Sequence, residues 1–490
     1  MNPLNIAFVS PEVVPFAKTG GLADVSGALP AALAGRGHAV KVFMPLYRMV
    51  DTARYGINEF KTNLGVAVAG RQETFDIRHV RDQAYGCDFY FIKMDKYFDR
   101  EGLYVSPQTG KDWEDNDERF IAFNRAVLES IKALNFKPDI IHCNDWQSGL
   151  IPAYIKCSDI GKEYFSQTKT VFTIHNIAYQ GIFPAEIFPK LGLDQNLFYP
   201  MSGFEYYGQV CFLKAGLHYG DILTTVSERY AAEIQGSNEY GYGMEGILRD
   251  RTNNLHGVIN GIDYAIWNPA TDDLIKAHYT PEKLAGKARN KTALRKLVKL
   301  PLVRRDVPLI GMISRLADQK GFDLFAEVAE ELFELDLQMV ILGTGDEKYE
   351  KLLGELGAKY PKKLAVSLKF DNTLAHLIEA GCDMFLMPSR YEPCGLNQLY
   401  SLKYGTVPIV RETGGLADTI ENCNPTKKSG TGFVFKKYDS LELLNTIRFA
   451  LEVYKNKTAW TDLMKRGMYK DLSWGNSAAK YELLYRKAIS

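Results

Sequence analysis

Cysteine is sparse and unpatterned: seven are scattered through 490 residues, at 87, 143, 157, 211, 382, 394 and 423, with no Cys-x-x-Cys pair. An odd number at such spacing supports neither a disulfide framework nor a zinc site, and fits a reducing compartment. Net charge is also missing, because Lys+Arg and Asp+Glu number 59 each. Nucleic acid and acidic membrane surfaces are therefore not indicated as general partners, and any anion must be held by a local site. No run of about 18 apolar residues occurs, so no membrane-spanning helix is expected. The opening MNPLNIAFVS lacks a basic start followed by a long apolar stretch. It reads as no secretory signal, and a cytoplasmic protein is expected. There is no low-complexity segment, no short-period repeat and no G-x-S-x-G nucleophile elbow.

What is present is an alternation. Short Val- and Ile-rich runs occur at Ile6–Val9, Val40–Met44, Asp139–His142, Thr170–Ile174, Ile222–Val226, Leu309–Ile313, Met339–Leu342, Met384–Met387 and Val407–Val410. Most are apolar on both faces, as buried parallel strands are. Helical patterns separate them, such as Glu118–Leu134 with Phe120, Phe123, Val127 and Ile131. βαβ units and doubly wound sheets follow. The strands are too many for one sheet, and the length itself predicts two or three domains. The irregular stretch from Asn253 to Pro281 carries Asn-Gly and Asn-Pro turn signals. It predicts a hinge near 254–260, with one domain over 1–255 and a second over 256–470. A basic helical segment, Lys287–Lys299, opens the second.

The chemistry-bearing residues sit where strands end. After Ile6–Val9 comes Lys18-Thr19-Gly20-Gly21-Leu22-Ala23-Asp24, followed by a helical stretch, Val25–Ala34. Glycines at a strand-to-helix turn let backbone N–H groups approach an anion, and a helix start favours phosphate. A tight turn with a solvated lysine fits the same residues. Gly-Gly-Leu-Ala-Asp returns at 414–418, preceded by Thr413, with Glu412 in place of Lys18's charge. Arg315 and Lys320 follow the strand Leu309–Ile313 and suit either a diphosphate clamp or a solvated loop. Glu392, in Ser389–Asn397, suits either sugar hydroxyls or a helix dipole. His142–Trp146 and Thr173–Asn176 also close strands. Three patterns are rejected. Gly241–Gly246 matches G-x-G-x-x-G but follows no strand. Asp115-Asn116-Asp117 reads as an acidic helix start, not a metal site. Gly343–Asp346 lacks a P-loop lysine.

Together these segments resemble the bacterial glycogen synthases and plant starch synthases, glucosyltransferases that use ADP-glucose. The resemblance is carried in order by Lys18–Asp24, Asn144–Trp146, Thr173–Gly181, Tyr242–Gly246, Val258–Asp263, Ser314–Gly321, Pro388–Leu396 and Thr413–Asp418. It implies the GT-B fold, two Rossmann-like α/β domains around a deep cleft, with a C-terminal helix near 471–490 returning to the first. It also implies roles. Lys18 and the amides of Gly20 and Gly21 contact the donor; Arg315 and Lys320 neutralise the departing diphosphate. Glu392 sits beside the donor glucose, with Cys394, Gly395, Leu396 and Asn397 lining its pocket. Thr413, Gly414, Gly415 and Leu416 complete a phosphate cradle. His175 and Asp145 lie near the donor sugar, Asn260 on the hinge-side wall, and Phe370 against adenine. Asp24, Asn116 and Trp146 belong, with Asp145, to the acceptor side. Sucrose synthases and their relatives carry a second Glu eight positions after the first; here that position is Tyr400, as in the narrower family.

The implied reaction is transfer of glucose from ADP-glucose to the non-reducing end of an α-1,4-glucan, with retention and without cofactor or metal. The cations stabilise the departing diphosphate once the cleft closes. Sucrose- or trehalose-type transfer is the enzymatic alternative, and a non-catalytic glucan-binding protein the other. The four charged residues Lys18, Arg315, Lys320 and Glu392 weigh against the latter. An NAD-dependent oxidoreductase lacks a correctly placed glycine fingerprint.

Overall fold

The computed structural model describes residues 2–82, 86–302, 304 and 306–490. It divides into two compact units, residues 1–260 with 474–490, and residues 261–473.

The first unit holds β1 (Asn5–Val9), β2 (Ala39–Pro45), β3 (Asn58–Val68), β4 (Arg71–Asp82), β5 (Cys87–Lys93), β6 (Ile140–Asn144), β7 (Lys169–Ile174), β8 (Ile182–Phe183), β9 (Glu205–Tyr206), β10 (Gln209–Cys211), β11 (Ile222–Thr225) and β12 (Leu255–Gly257). Nine form one sheet in the order β12-β11-β7-β6-β1-β2-β5-β4-β3, and β8-β10-β9 form a small second one. From β12 to β5 the pairing is parallel; β5-β4-β3 is antiparallel. β6 and β11 are buried at every position, which is why they read as continuous apolar runs. β3 is mostly exposed. It offers no such run, and the sequence reading omits it.

Two helices depart instructively from expectation. The helix after β1 begins at Gly21 and runs to Gly35, so the glycine pair opens the helix rather than preceding it. Leu22, Ala23 and Val25 already face the core. The helix Asn116–Ala133 starts two residues before the expected Glu118, with Asp117 and Glu118 in its first turn and Phe120, Phe123, Val127 and Ile131 buried.

The unit boundary lies after Asn260 rather than after 255. The physical reason is β12, which pairs with β11 as the edge strand of the first sheet and so belongs to the first unit. The C-terminal helix, Trp474–Ile489, completes this unit. Tyr485 Oη lies 2.7 Å from His142 Nδ1, and Ser477 Oγ donates to Ile259 O at 2.6 Å. Glu482 accepts from Arg36 at 2.7 Å. His142, at the end of β6, is thereby a fastening for this helix.

The second unit holds β13 (Leu309–Ile313), β14 (Gln338–Leu342), β15 (Leu364–Ser367), β16 (Met384–Met387), β17 (Val407–Arg411) and β18 (Phe433–Phe435), a fully parallel sheet ordered β15-β14-β13-β16-β17-β18. The basic helix is Ala285–Leu297, and three of its cations, Lys287, Lys291 and Arg295, are buried rather than solvated. Lys287 donates to Thr406 Oγ1 at 2.6 Å and Lys291 pairs with Asp383 at 2.6 Å, so both fasten the helix to the sheet. Burial pulls the Lys287 ammonium down to about 8.

Candidate active site

In the second unit three loops leave the carboxyl ends of neighbouring strands β13, β16 and β17, where ligands of open α/β sheets bind. Residues 314–321 meet residues 388–392 through Arg390 N–H, which donates to Gln319 O at 2.9 Å. Gly321 has φ +77°, and a Cβ there would stand 2.1 Å from Pro388 O. Asn397 Nδ2 donates to Ile313 O at 2.7 Å, tying the far end of the second loop to β13. Gly414 has φ +42°, and its Cβ would stand 2.0 Å from Glu392 O. The three loops are thus packed backbone to backbone.

Their focus is Glu392, which is buried and accepts from Lys320 Nζ at 2.6 Å and Ser389 Oγ at 3.1 Å. Arg315 reaches Gln319 Oε1 at 3.4 Å from an exposed position. Cys394, Thr413 and Leu416 are buried around this focus. Two of the expected cradle amides are already engaged. Gly415 N–H donates to the carbonyls of Glu392 and Pro393 at 3.1 Å each, and Leu416 N–H to Thr413 O at 3.0 Å. The glycine pair at 414–415 therefore serves close packing of the Glu392 turn, because any side chain there would strike its carbonyls.

Phe370 stands apart. It follows the edge strand β15 and is 85% exposed. Ser367, Lys369, Asp371 and Thr373 on either side of it line an open cavity of about 530 Å³ floored by Val340, Ala365 and Leu377. Tyr400 is stacked on Trp267, centroids 3.9 Å apart and planes 9° apart.

In the first unit the ends of β1, β6 and β7 carry a second cluster. Asp145 has φ +54°, an unusual conformation for a side-chain-bearing residue and one often found at functional sites. Its Oδ1 accepts from His175 N–H at 2.7 Å. Burial nonetheless wins over its backbone amide donors and pushes the Asp145 carboxyl up to about 7. Burial pulls the His175 imidazole down to about 3, so it is neutral near pH 7. Asn144 Nδ2 donates to Val9 O, leaving its Oδ1 to accept from His175 Nε2 at 2.9 Å. The network thereby assigns the imidazole proton to Nε2 and leaves Nδ1 an acceptor.

Lys18 is half-exposed and pairs with Asp24 at 2.7 Å. Burial raises the Asp24 carboxyl, and Lys18 offsets part of that rise. The Gly20 amide is not free for an anion, since it donates to the buried Glu12 carboxylate at 3.2 Å. Gly21 and Leu22, the first helical residues, are left with unpaired N–H groups among the described residues. Two acceptor-side candidates, Trp146 and Asn116, and the hinge-wall candidate Asn260 sit in the scaffold. Trp146 packs on Phe120 (centroids 4.9 Å), Phe183 and Phe212. Asn116 is spent on Tyr104 O and Arg119. Asn260 is buried, and its Oδ1 has no hydrogen-bond partner among the described residues. Sequence reasoning missed Glu12, Tyr104, Asn144 as a tautomer-setting group, and Ser389. Glu12 alone carried a signal, an acid just past the end of β1.

Comparison with known proteins agrees with this arrangement. Residues 5–250 match the family described as starch synthase catalytic domain, and residues 299–463 match glycosyl transferases group 1. A glycogen synthase of Koribacter versatilis is 49% identical over 491 residues, 99% of this chain and 98% of that protein. One of Thermotoga maritima is 45% identical, with 99% of each covered. The catalytic domain of Starch Synthase IV from Arabidopsis thaliana, solved bound to ADP and acarbose, superposes with a TM-score of 0.91 at 32% identity over the whole of both chains. Sucrose-phosphate synthase from Thermosynechococcus elongatus, at 16% identity and TM-score 0.59 over 99% of this chain and 98% of that one, shares the fold alone. With Lys320 and Glu392 at the loops of one parallel sheet and Asp145 and His175 at the strand ends of another, the chain belongs to the glycogen and starch synthase family, two-unit α/β glycosyltransferases of the GT-B fold that serve glycogen biosynthesis.

Proposed function

We propose that the chain transfers glucose from ADP-glucose to the non-reducing end of an α-1,4-glucan, with retention and release of ADP. The observation that carries this reading is the Lys320–Glu392 pair at the junction of three strand-end loops. Negative charge grows on the leaving diphosphate as the glycosidic bond to it breaks. Lys320 and Arg315 supply fixed positive charge at that point, and Lys18 is a further cation that contacts the donor. Preorganised donors of this kind are worth about 3–4 kcal/mol each when removed. Glu392, held by Lys320 and Ser389, accepts hydrogen bonds from glucose hydroxyls. Phe370 and the cavity beside it receive the adenine.

His175 is neutral and Asp145 poised near neutrality, so neither presents a fixed full charge against the sugar. The sugar passes through an oxocarbenium-like state. The departing phosphate takes the acceptor hydroxyl's proton on the same face, so the new bond keeps the α configuration. Trapping a covalent glucosyl-enzyme on Asp145 or Glu392 would overturn that step. Incorporation of radiolabelled glucose into glycogen, run in parallel with ADP-glucose and UDP-glucose, tests the donor. Preference for UDP-glucose would sink the ADP-glucose reading and leave the family untouched.

A further inference from the structure

Glu12 lies just past β1, is 3% exposed, and accepts four hydrogen bonds. Its Oε2 takes Thr19 N–H at 2.5 Å and Gly20 N–H at 3.2 Å; its Oε1 takes Thr19 Oγ1 at 2.6 Å and Tyr104 Oη at 2.8 Å. Three of the four donors belong to the two residues that follow Lys18. Thr19, Gly20 and Gly21 are all exposed, and two of them have no side chain with which to pack. Gly20 caps the helix Gly21–Gly35 without a side-chain hydrogen bond of its own. A buried carboxylate with four donors is firmly placed, because removing it would strand those donors. The loop that carries Lys18 is therefore anchored from beneath by a buried side chain from the segment just after β1, while the Lys18 ammonium stays at the surface, 2.7 Å from Asp24.

We propose that Glu12 is a positioning residue for the glucosyl transfer, acting through Lys18. It fixes the backbone of Thr19 and Gly20. This sets both the direction of Lys18 and the orientation of the unpaired Gly21 and Leu22 amides that open the helix. The carboxylate also fills the place an anion would take on Thr19 and Gly20, so an incoming phosphate oxygen is directed to Gly21 and Leu22 instead. This rests on the reading of Lys18 as a donor contact.

The test is a double-mutant cycle in the full chain, measuring kcat and KM for ADP-glucose for Glu12→Gln, Lys18→Ala and the pair. An amide at position 12 keeps an acceptor oxygen but turns its NH2 toward a donor, which releases part of the anchor. Glu12→Gln is expected to lower kcat/KM at least tenfold in the wild-type background and less than threefold once Lys18 is alanine. A purely structural role would multiply instead, with the same loss in both backgrounds, and that result overturns the proposal. So does a Glu12→Gln enzyme within twofold of wild type. If Glu12→Gln fails to fold, Tyr104→Phe, which removes one donor and strands no charge, takes its place. It is expected to show a three- to tenfold loss that shrinks in the Lys18→Ala background, and equal losses in both backgrounds count against the proposal. If Lys18→Ala itself leaves the kinetics unchanged, the donor-contact reading falls. If Lys18→Ala is impaired and the Glu12 and Tyr104 variants are not, the positioning role alone falls.

Discussion

Lys320 Nζ lies 2.6 Å from Glu392 Oε2, across 72 positions of sequence, with side chains 18% and 8% exposed. Each residue conditions the other. The ammonium makes a buried carboxylate tolerable, and the carboxylate holds the ammonium at the strand-end loops. Removing one partner of such a pair costs more than the pair contributes, because the other is left buried and charged.

Lys320→Ala and Arg315→Ala should therefore differ in kind. Both should lower kcat with ADP-glucose by about 100-fold or more, the loss typical of one transition-state donor. Lys320→Ala should also lower the thermal midpoint, since Glu392 keeps only Ser389 among the described residues, whereas exposed Arg315 should leave it within about 1 °C, as surface substitutions do. Steady-state kinetics beside calorimetry separates the two. Equal stability of both variants would contradict the buried-pair description.

Gly414→Ala should disable donor binding by a steric route. Its Cβ would stand 2.0 Å from Glu392 O at a φ of +42°. The Glu392 turn must shift, and a shift of even about 1 Å can cost 100-fold in rate. KM for the donor and kcat should both suffer, while circular dichroism stays unchanged.

Asp145→Asn should gain stability with rising pH. The carboxyl is raised by burial from 3.8 to about 7, so its folded form prefers the proton. Stability from the neutral acid is full below about pH 4 and is lost as pH rises through about 7. The amide keeps an oxygen for His175 N–H and carries no charge to lose. The difference in thermal midpoint, variant minus wild type, should grow between about pH 4 and 7 and then level off. A flat difference would mean that Asp145 titrates as an ordinary carboxylate.

Glu482→Gln should loosen the C-terminal helix in the opposite pH sense. Hydrogen bonds from Arg36 and Arg486 hold the Glu482 carboxyl down at about 2. A depressed acid contributes stability above its unfolded value of 4.5, lost as pH falls through about 2. Arg36 is partly exposed, so the deficit at pH 7 should be modest, about 1 kcal/mol. It should shrink steadily on acidification below about pH 4.5. Chemical denaturation at a series of pH values measures it.

The fold was legible where burial was complete. β6, β11, β13, β14, β16 and β17 read as apolar runs because both of their faces are covered or nearly so, whereas the partly exposed edge strand β15 did not. β3 and β4 were not legible, because an antiparallel edge facing solvent needs no apolar run. The domain edge was displaced for a related reason: three residues of β12 carry little pattern, and only pairing with β11 assigns them.

The candidate site divides in the same way. Strand-end position singled out Lys18, Asp145, His175, Arg315, Lys320 and Glu392 as candidates, since residues after buried strands must surface at one edge of the sheet, and the family resemblance assigned their roles. Which amides remain unpaired was not legible. The two Gly-Gly-Leu-Ala-Asp segments are identical in sequence, yet the first lies over the Glu12 carboxylate and the second packs on the Glu392 carbonyl. The sequence by itself determined the α/β class, the strand-end residues and the family resemblance, because these follow from local periodicity and from short ordered strings. Tertiary structure alone decided the pairing of Lys320 with Glu392, the near-neutral Asp145, the tautomer of His175 and the anchoring of the Lys18 loop. Each of those depends on burial and on side-chain contacts made only in the folded chain, most of them between distant segments, which no local pattern encodes.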